Sequence, residues 1–268
     1  MKFSDFKTIK NKAKRTLTRL FSRGQYPRGQ HSLLLTGPYQ DFDQAHAMST
    51  GYGDDVILAK VRNAVVEILE ERALYERDGT VFMSYPENHK IIELLIKLIA
   101  KNSVIVDFGG GLGSMYVSYP KVLSTAKSYH VIEQINFVRE GRRLADQFML
   151  PINFYEKLSE INCFIDILLI SSVLPYVRDA HNLINEIIDK SPKYIIIDRN
   201  PIATDQSQTG WWLQHEPSYY SKPVAYPLWL MTEEQLLRRF KGYRVLESWL
   251  NKFDADSPMH RGYLLAME

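Results

Sequence analysis

The stretch Val104-Ile-Val-Asp-Phe-Gly-Gly-Gly-Leu-Gly113 constrains this 268-residue chain more than any other. An apolar run of strand length meets a turn with glycine at 109, 110, 111 and 113, and residues of helical character follow. Glycine permits positive φ and lets another group approach the main chain with no Cβ in between. Free amides at the start of the next helix are donors for a carboxylate or a phosphate. Three consecutive glycines cost backbone entropy that a plain connecting turn does not require, so the turn reads as one that holds a ligand.

From Ser103 onward, short apolar runs alternate with helix-like segments, the pattern of a parallel sheet built from βαβ units. Strands are expected at Val104–Phe108, His130–Glu133, Ile152–Phe154, Ile165–Ile170, Tyr194–Asp198, Tyr243–Ser248 and Gly262–Met267, the last two antiparallel. Helices are expected at Met115–Ser124, Phe137–Phe148, Ala180–Asp189 and Thr232–Phe240, the last with a threonine cap and early acids. Residues 31–100 read as a helical cap region, with apolar positions from Val56 to Leu74 and from Ile91 to Ile99 at helical spacing. Residues 101–268 read as the core domain. A doubly wound sheet places its ligand outside the carboxyl ends of the strands, so site residues should follow strands.

Spacing narrows the ligand. The dinucleotide pattern Gly-x-Gly-x-x-Gly fails, because counting from Gly109 puts Ser114 at the third glycine and counting from Gly111 puts Tyr116 there. No Gly-Lys-Ser or Gly-Lys-Thr follows, which excludes a P-loop. Asp107, Gly109, Gly111 and Gly113 do meet Asp-x-Gly-x-Gly-x-Gly, and here the chain resembles the class I methyltransferases. The resemblance implies a Rossmann-like α/β fold, a seven-stranded doubly wound sheet with an N-terminal helical extension, gripping S-adenosylmethionine through Asp107, Phe108, Gly109, Gly110, Gly111 and Gly113. Glu133 lies 20 positions beyond Gly113, where a ribose-binding acid is expected, with Gln134 beside it. That acid supports an adenosine ligand without separating methyltransferases from nucleotide dehydrogenases.

Further blocks resemble one bacterial family of methyltransferases whose genes commonly lie among those for surface polysaccharides. They are Gly37-Pro-Tyr39 with Gly51-Tyr-Gly53, Asp107 to Tyr116, Val131-Ile-Glu-Gln134 with Phe137-Val-Arg-Glu-Gly141, Ser171-Ser-Val-Leu-Pro-Tyr176, Ile197-Asp-Arg-Asn-Pro201 and Tyr226-Pro-Leu-Trp229. Thr36 and Pro175 stand where that family usually has tryptophan and glutamine. The resemblance implies a saccharide-type acceptor and O-methylation in surface-polysaccharide biosynthesis.

On the acceptor side, Ser171 and Ser172 end the fourth strand and can touch the cofactor or its methyl, with Tyr176 as a wall of the pocket. Asp198 and Arg199 end the fifth strand and open toward the crevice. Residues 201–231 read as a long insert without regular structure, holding Trp211, Trp212, His215, Tyr219, Tyr220, Tyr226 and Trp229. An irregular loop of that length in a compact domain is usually functional, so it reads as a substrate lid. Its aromatics can stack on a sugar, and His215 has the unperturbed pKa of a base for a hydroxyl, with Asp198 the next candidate. Methyl transfer from a sulfonium donor chiefly requires alignment, and the seven histidines, at 31, 46, 89, 130, 181, 215 and 260, show no metal-ligand spacing.

Charge adds one feature. Residues 1–30 carry nine bases against Asp5, leaving 24 bases and 30 acids elsewhere. A mildly acidic body argues against a nucleic-acid partner. In the basic segment Phe3, Phe6, Ile9, Ala13, Leu17, Leu20 and Phe21 share one helical face, which suits packing on the enzyme body or a partner subunit, and equally an anionic membrane surface. Both peripheral membrane contact and a homo-oligomer therefore stay open. The start lacks a secretory signal pattern, and no apolar run approaches the roughly 20 residues of a membrane span, so a cytoplasmic location is expected. Cys163, the single cysteine, is expected as a small buried hydrophobe. Two other classes compete with the methyltransferase: a dinucleotide-dependent oxidoreductase on the same sheet, and a non-catalytic cofactor-binding protein.

Overall fold

A computed structural model of the chain describes residues 34–50, 55–86, 89–216, 224–251 and 259–268. The basic segment 1–30, the Gly51-Tyr-Gly53 block, Tyr219 and Tyr220 lie outside the described residues. In chain order the elements are β1 (Leu34–Tyr39), α1 (Phe42–Ala47), α2 (Asp55–Leu69), β2 (Tyr75–Arg77), β3 (Thr80–Phe82), α3 (Lys90–Leu98), β4 (Val104–Phe108), α4 (Ser114–Ser118) and α5 (Pro120–Leu123). Then follow β5 (Ser128–Ile132), α6 (Ile135–Phe148), β6 (Ile152–Tyr155), β7 (Ile167–Ser171), α7 (Ala180–Asp189), β8 (Tyr194–Ile202), β9 (Gly210–Glu216), β10 (Val224–Leu230), α8 (Glu233–Leu237), β11 (Tyr243–Leu250) and β12 (Met259–Met267).

Seven strands form one sheet in the order β11-β12-β8-β7-β4-β5-β6. β6, β5, β4, β7 and β8 run parallel, while β12 is antiparallel to both β8 and β11. The expected doubly wound sheet and its antiparallel last pair are present. Strand order reverses beside β4, so the crevice opens at the carboxyl ends of β4 and β7. Val104, Ile105, Val106, Ile167, Leu168, Leu169 and Ile170 are buried, as a sheet covered on both faces requires. One face packs Ile105, Leu169 and Ile196 against α2, α3 and α6; the other packs Val106, Leu168 and Ile195 against α7 and α8.

Three readings are corrected. The stretch 201–231 is not irregular: β9 and β10 pair antiparallel and β9 pairs with β1, making a second sheet in the order β1-β9-β10. Its aromatic residues favour strand, but β9 finds β1 far upstream, a non-local pairing that periodicity does not reveal. Pro38 and Pro227 both sit on its edge strands, where a missing N–H is tolerated. The cap region is not all helical either, since β1 and the β2–β3 hairpin interrupt it. Asp78 and Gly79, at φ 52° and 76°, form the two-residue turn of that hairpin. Cys163 is exposed rather than buried, because Ile161 and Ile165 turn inward on either side of it and leave Cys163 and Phe164 outside. Smaller shifts move strand and helix ends by a few residues, and the helix expected at Met115–Ser124 divides at Pro120. The Thr232 cap is present, with Thr232 Oγ1 accepting from Gln235 N at 3.2 Å.

Candidate active site

Local chemistry builds the turn after β4. Gly109, Gly111 and Gly113 have φ of 74°, 58° and 81°, values that side-chain-bearing residues adopt only under strain. Each glycine serves a different purpose. A Cβ on Gly109 would lie 2.2 Å from Val173 Cγ2, and one on Gly113 would lie 2.8 Å from Ile152 Cδ1, so both let the turn pack on neighbouring elements. A Cβ on Gly110 would strike the Asp107 carboxylate at 2.5 Å. At Gly111 an added Cβ would make only ordinary contacts, 3.8 Å from Ser114 Oγ and 4.0 Å from Val61 Cγ1, so here the main chain lies bare without a neighbour pressed against it.

Two acids frame the turn. Asp107 is buried, and its Oδ2 accepts from the Tyr129 hydroxyl at 2.6 Å. Burial pushes its carboxyl up to about 6, with the tyrosine bond opposing that rise. Glu133, half-buried and one residue beyond β5, accepts from Gln134 N at 3.0 Å and from the backbone of Gly111. Desolvation pushes it up to about 7, and the two backbone donors counter part of that. A carboxylate placed beside bare glycine main chain can accept two vicinal hydroxyls, and Gln134 lies exposed at the start of α6 next to it. Phe108, half-buried at the end of β4, packs on the far core cluster.

Across the crevice, Ser172 (φ 58°) donates its N–H to Asp198 O at 2.9 Å, and Arg199 (φ 49°) points Nε at Ser171 Oγ, 3.4 Å away. β8 does not end at Arg199 as expected but continues to Ile202, and only its pairing with β7 stops at Asp198, so these two non-glycine residues, one just past β7 and one inside β8, mark a strained rim of the kind that functional sites carry. Asp198 is buried and accepts from Trp249 Nε1 and Asn251 Nδ2, both at 2.9 Å.

Of the four aromatic acceptor contacts expected from sequence, Tyr176, Trp211, Trp212 and Tyr226, the structure joins Tyr176 and Tyr226. The Tyr176 hydroxyl donates to Gln214 Oε1 at 3.0 Å, Gln214 Nε2 donates to the Tyr226 hydroxyl at 3.3 Å, and the two tyrosine rings meet edge-on at 5.3 Å. This contact ties the second sheet to the turn after β7. Strand alternation separates the others. Trp212 lies on the Tyr176 side and donates Nε1 to Gln208 O at 2.9 Å. Trp211 stacks on Trp229 at 5.7 Å on the opposite face. His215 is on that same outer face, its Nε2 2.9 Å from Thr36 Oγ1. His215 is therefore not joined to Asp198, Arg199 or the glycine turn.

The structure also assembles a cluster that the sequence reading missed. The β2–β3 hairpin brings buried Glu76 against the start of α4, where its carboxylate accepts from the Ser114 side chain and, through Oε2, from Gly79 N at 3.0 Å. Burial pushes Glu76 up to about 7. Asp78 on the same hairpin receives Arg199 Nη1 at 3.2 Å. His89 Nδ1 lies 2.7 Å from the Tyr119 hydroxyl, and burial drives its pKa down to about 4, so the imidazole is neutral near pH 7. The missed signal was Asp78-Gly79 between alternating residues, a strong hairpin mark. Among the described residues, no group of histidine, cysteine or acidic side chains is arranged to hold a metal ion.

No protein-family model matches the chain, and no curated protein matches it in sequence. Among solved structures it is similar to the [4+2]-cyclase SpnF, at 13% identity over 86% of this chain and 98% of that one, with a TM-score of 0.51. It is also similar to the glycopeptide N-methyltransferase MtfA complexed with S-adenosyl-L-homocysteine, at 10% identity over 69% of this chain and 91% of that one, TM-score 0.47. A third is an S-adenosylmethionine-dependent methyltransferase from Mesorhizobium loti, at 13% identity over 67% and 97%, TM-score 0.47. The likeness to SpnF shows the fold: a Rossmann-like seven-stranded mixed sheet flanked by helices. That neighbour is named for a cycloaddition, so function has to be argued from this chain's own site.

Proposed function

We propose that this chain is an S-adenosylmethionine-dependent methyltransferase. The observation that carries the reading is the pairing of Gly111 with Glu133: bare main chain with no neighbour closer than ordinary contact, and an acid bonded to that same backbone, at the switch point of the sheet. These features fit an adenosyl group. Glu133 accepts the ribose hydroxyls, Gly109 to Gly113 permit close approach, Asp107 braces the turn from below, and Ser171 and Ser172 face the crevice from β7. Bound there, the cofactor supplies a methyl group already activated by its positive sulfur, and the chain's task is to align an acceptor atom in line with it.

The acceptor is a sugar or a related precursor in surface-polysaccharide biosynthesis, methylated on oxygen. Support comes from the ordered motif blocks between Gly37 and Trp229 and from the aromatic residues of the second sheet, with Tyr176, Tyr226, Trp211 and Trp212 as candidate acceptor contacts. Asp198 and Arg199 are at the crevice rim and belong to the catalytic side in this reading. His215 serves as a base only if the outer face of β9 bears the acceptor. The enzyme acts in the cytoplasm, with the basic segment 1–21 available for a membrane surface or a second copy.

Calorimetry and thermal stabilisation with S-adenosylhomocysteine and with NAD test the assignment. Binding of S-adenosylhomocysteine alone is the expected result; stabilisation by NAD alone would replace the methyltransferase with an oxidoreductase.

A further inference from the structure

We propose that the β2–β3 hairpin is the seat for the charged amino-acid end of the methyl donor, with the Glu76 carboxylate taking its ammonium and the Arg199 guanidinium its carboxylate. This rests on the cofactor reading above, adds Glu76, to which no motif of the chain points, and gives Arg199 a cofactor-binding role within the crevice.

Position is the first argument. Ser114 directly follows Gly113, and the Glu76 carboxylate accepts from its side chain, so the acid stands where the glycine turn enters α4. Arg199 reaches the same space from β8, between Ser171 Oγ on β7 and Asp78 on the hairpin. The hairpin thus touches the start of α4 and, through Arg199, the strand β8 beside the end of β7.

Chemistry is the second. An α-amino acid carries opposite charges on adjacent groups, and a site for it must offer both signs at close range. Glu76 and Asp78 supply one and Arg199 the other. Glu76 is 5% exposed, and the hydrogen-bond donors of its carboxylate are neutral, the Gly79 amide and the Ser114 hydroxyl. Arg199 also lowers it, though less than either donor. A buried carboxylate held chiefly by neutral donors gains strongly from an added ammonium, which compensates the desolvation that now raises it.

Rigidity is the third. Asp78 and Gly79 both have positive φ, and a Cβ on Gly79 would meet Lys60 Cγ of α2 at 2.8 Å, so the turn is closely seated against that helix. Such a turn holds Glu76 in place before any ligand arrives.

A cycle of ligand and protein changes tests this by calorimetry. The probes are S-adenosylhomocysteine, its analogue lacking the α-amino group, and 5′-methylthioadenosine, which lacks the amino-acid end altogether. Wild type should bind S-adenosylhomocysteine about ten- to a hundredfold more tightly than the deaminated analogue, the range expected for a hydrogen bond to a charged group. Glu76→Gln, which keeps an acceptor for Gly79 N, should lose that factor for S-adenosylhomocysteine and leave 5′-methylthioadenosine unchanged. Equal wild-type affinity with and without the amino group overturns the proposal without any variant. So does a Glu76→Gln protein that weakens all three probes alike, since Glu76 would then only hold the hairpin. Wild type that binds none of the probes overturns the cofactor reading itself, and this assignment with it.

Discussion

The Tyr129 hydroxyl donates to Asp107 Oδ2 at 2.6 Å, inside the sheet and beneath Gly110. β4 and β5 are adjacent and parallel, so the one acid of β4 meets a tyrosine near the start of β5. Removing the hydroxyl leaves a buried carboxyl without its donor. Tyr129→Phe should therefore destabilise the fold by about 1–3 kcal/mol and raise the Asp107 pKa further. Chemical denaturation checks the first effect, and carboxyl-selective NMR titration checks the second.

Glycines 109 and 111 should respond differently to the same methyl group. Alanine at 109 meets Val173 Cγ2 at 2.2 Å on a backbone at φ 74°, which should cost about 3 kcal/mol through strain and overpacking together. Alanine at 111 meets Ser114 Oγ and Val61 Cγ1 only at ordinary contact distance and should cost only about 1–2 kcal/mol for its left-handed backbone. Thermal unfolding of the two variants side by side reads the difference.

Much of this was legible in the chain. Val104–Phe108 and Ala180–Asp189 match their expected bounds, because strong local patterns and tertiary placement agree there. Glu133 was found by distance from the glycines, a relation that the βαβ unit imposes. The second sheet was not legible, because β1 and β9 are separated by most of the chain, β1 within a segment read as helical and β9 within one read as an irregular insert. Trp211 and Trp212 were both expected to face the acceptor, and strand alternation turns them to opposite faces. Glu76 escaped because its place opposite Ser114 depends on how the hairpin packs, which no spacing along 75–82 encodes.

The same acid gives a pH signature. Glu76 has a native pKa near 7, raised from 4.5 by burial, so the native state keeps a proton that the unfolded chain releases. Its contribution to stability is fully present below about pH 4.5 and is lost as pH rises through about 7. Glutamine has no charge to bury. The melting temperature of Glu76→Gln relative to wild type should therefore rise as pH increases from about 4.5 to about 7 and level off above that. A difference independent of pH would show that Glu76 does not titrate in that window. Taking the difference cancels His89, whose depressed pKa acts oppositely on absolute stability in acid.

Tyr176 links the two sheets. Tyr176→Phe removes the bond to Gln214 Oε1, which should cost about 1 kcal/mol and loosen β9 and β10 more than the main sheet. Hydrogen exchange should report faster opening of the β9 amides with β4 and β7 unchanged.

The most direct test of the central claim is calorimetric titration of S-adenosylhomocysteine into wild type and Gly111→Ala. The account predicts saturable one-site binding to the wild type, and its loss in a variant that remains folded, because the added methyl projects into the space above the bare main chain. No binding to the wild type, or equal binding to both proteins, would contradict it.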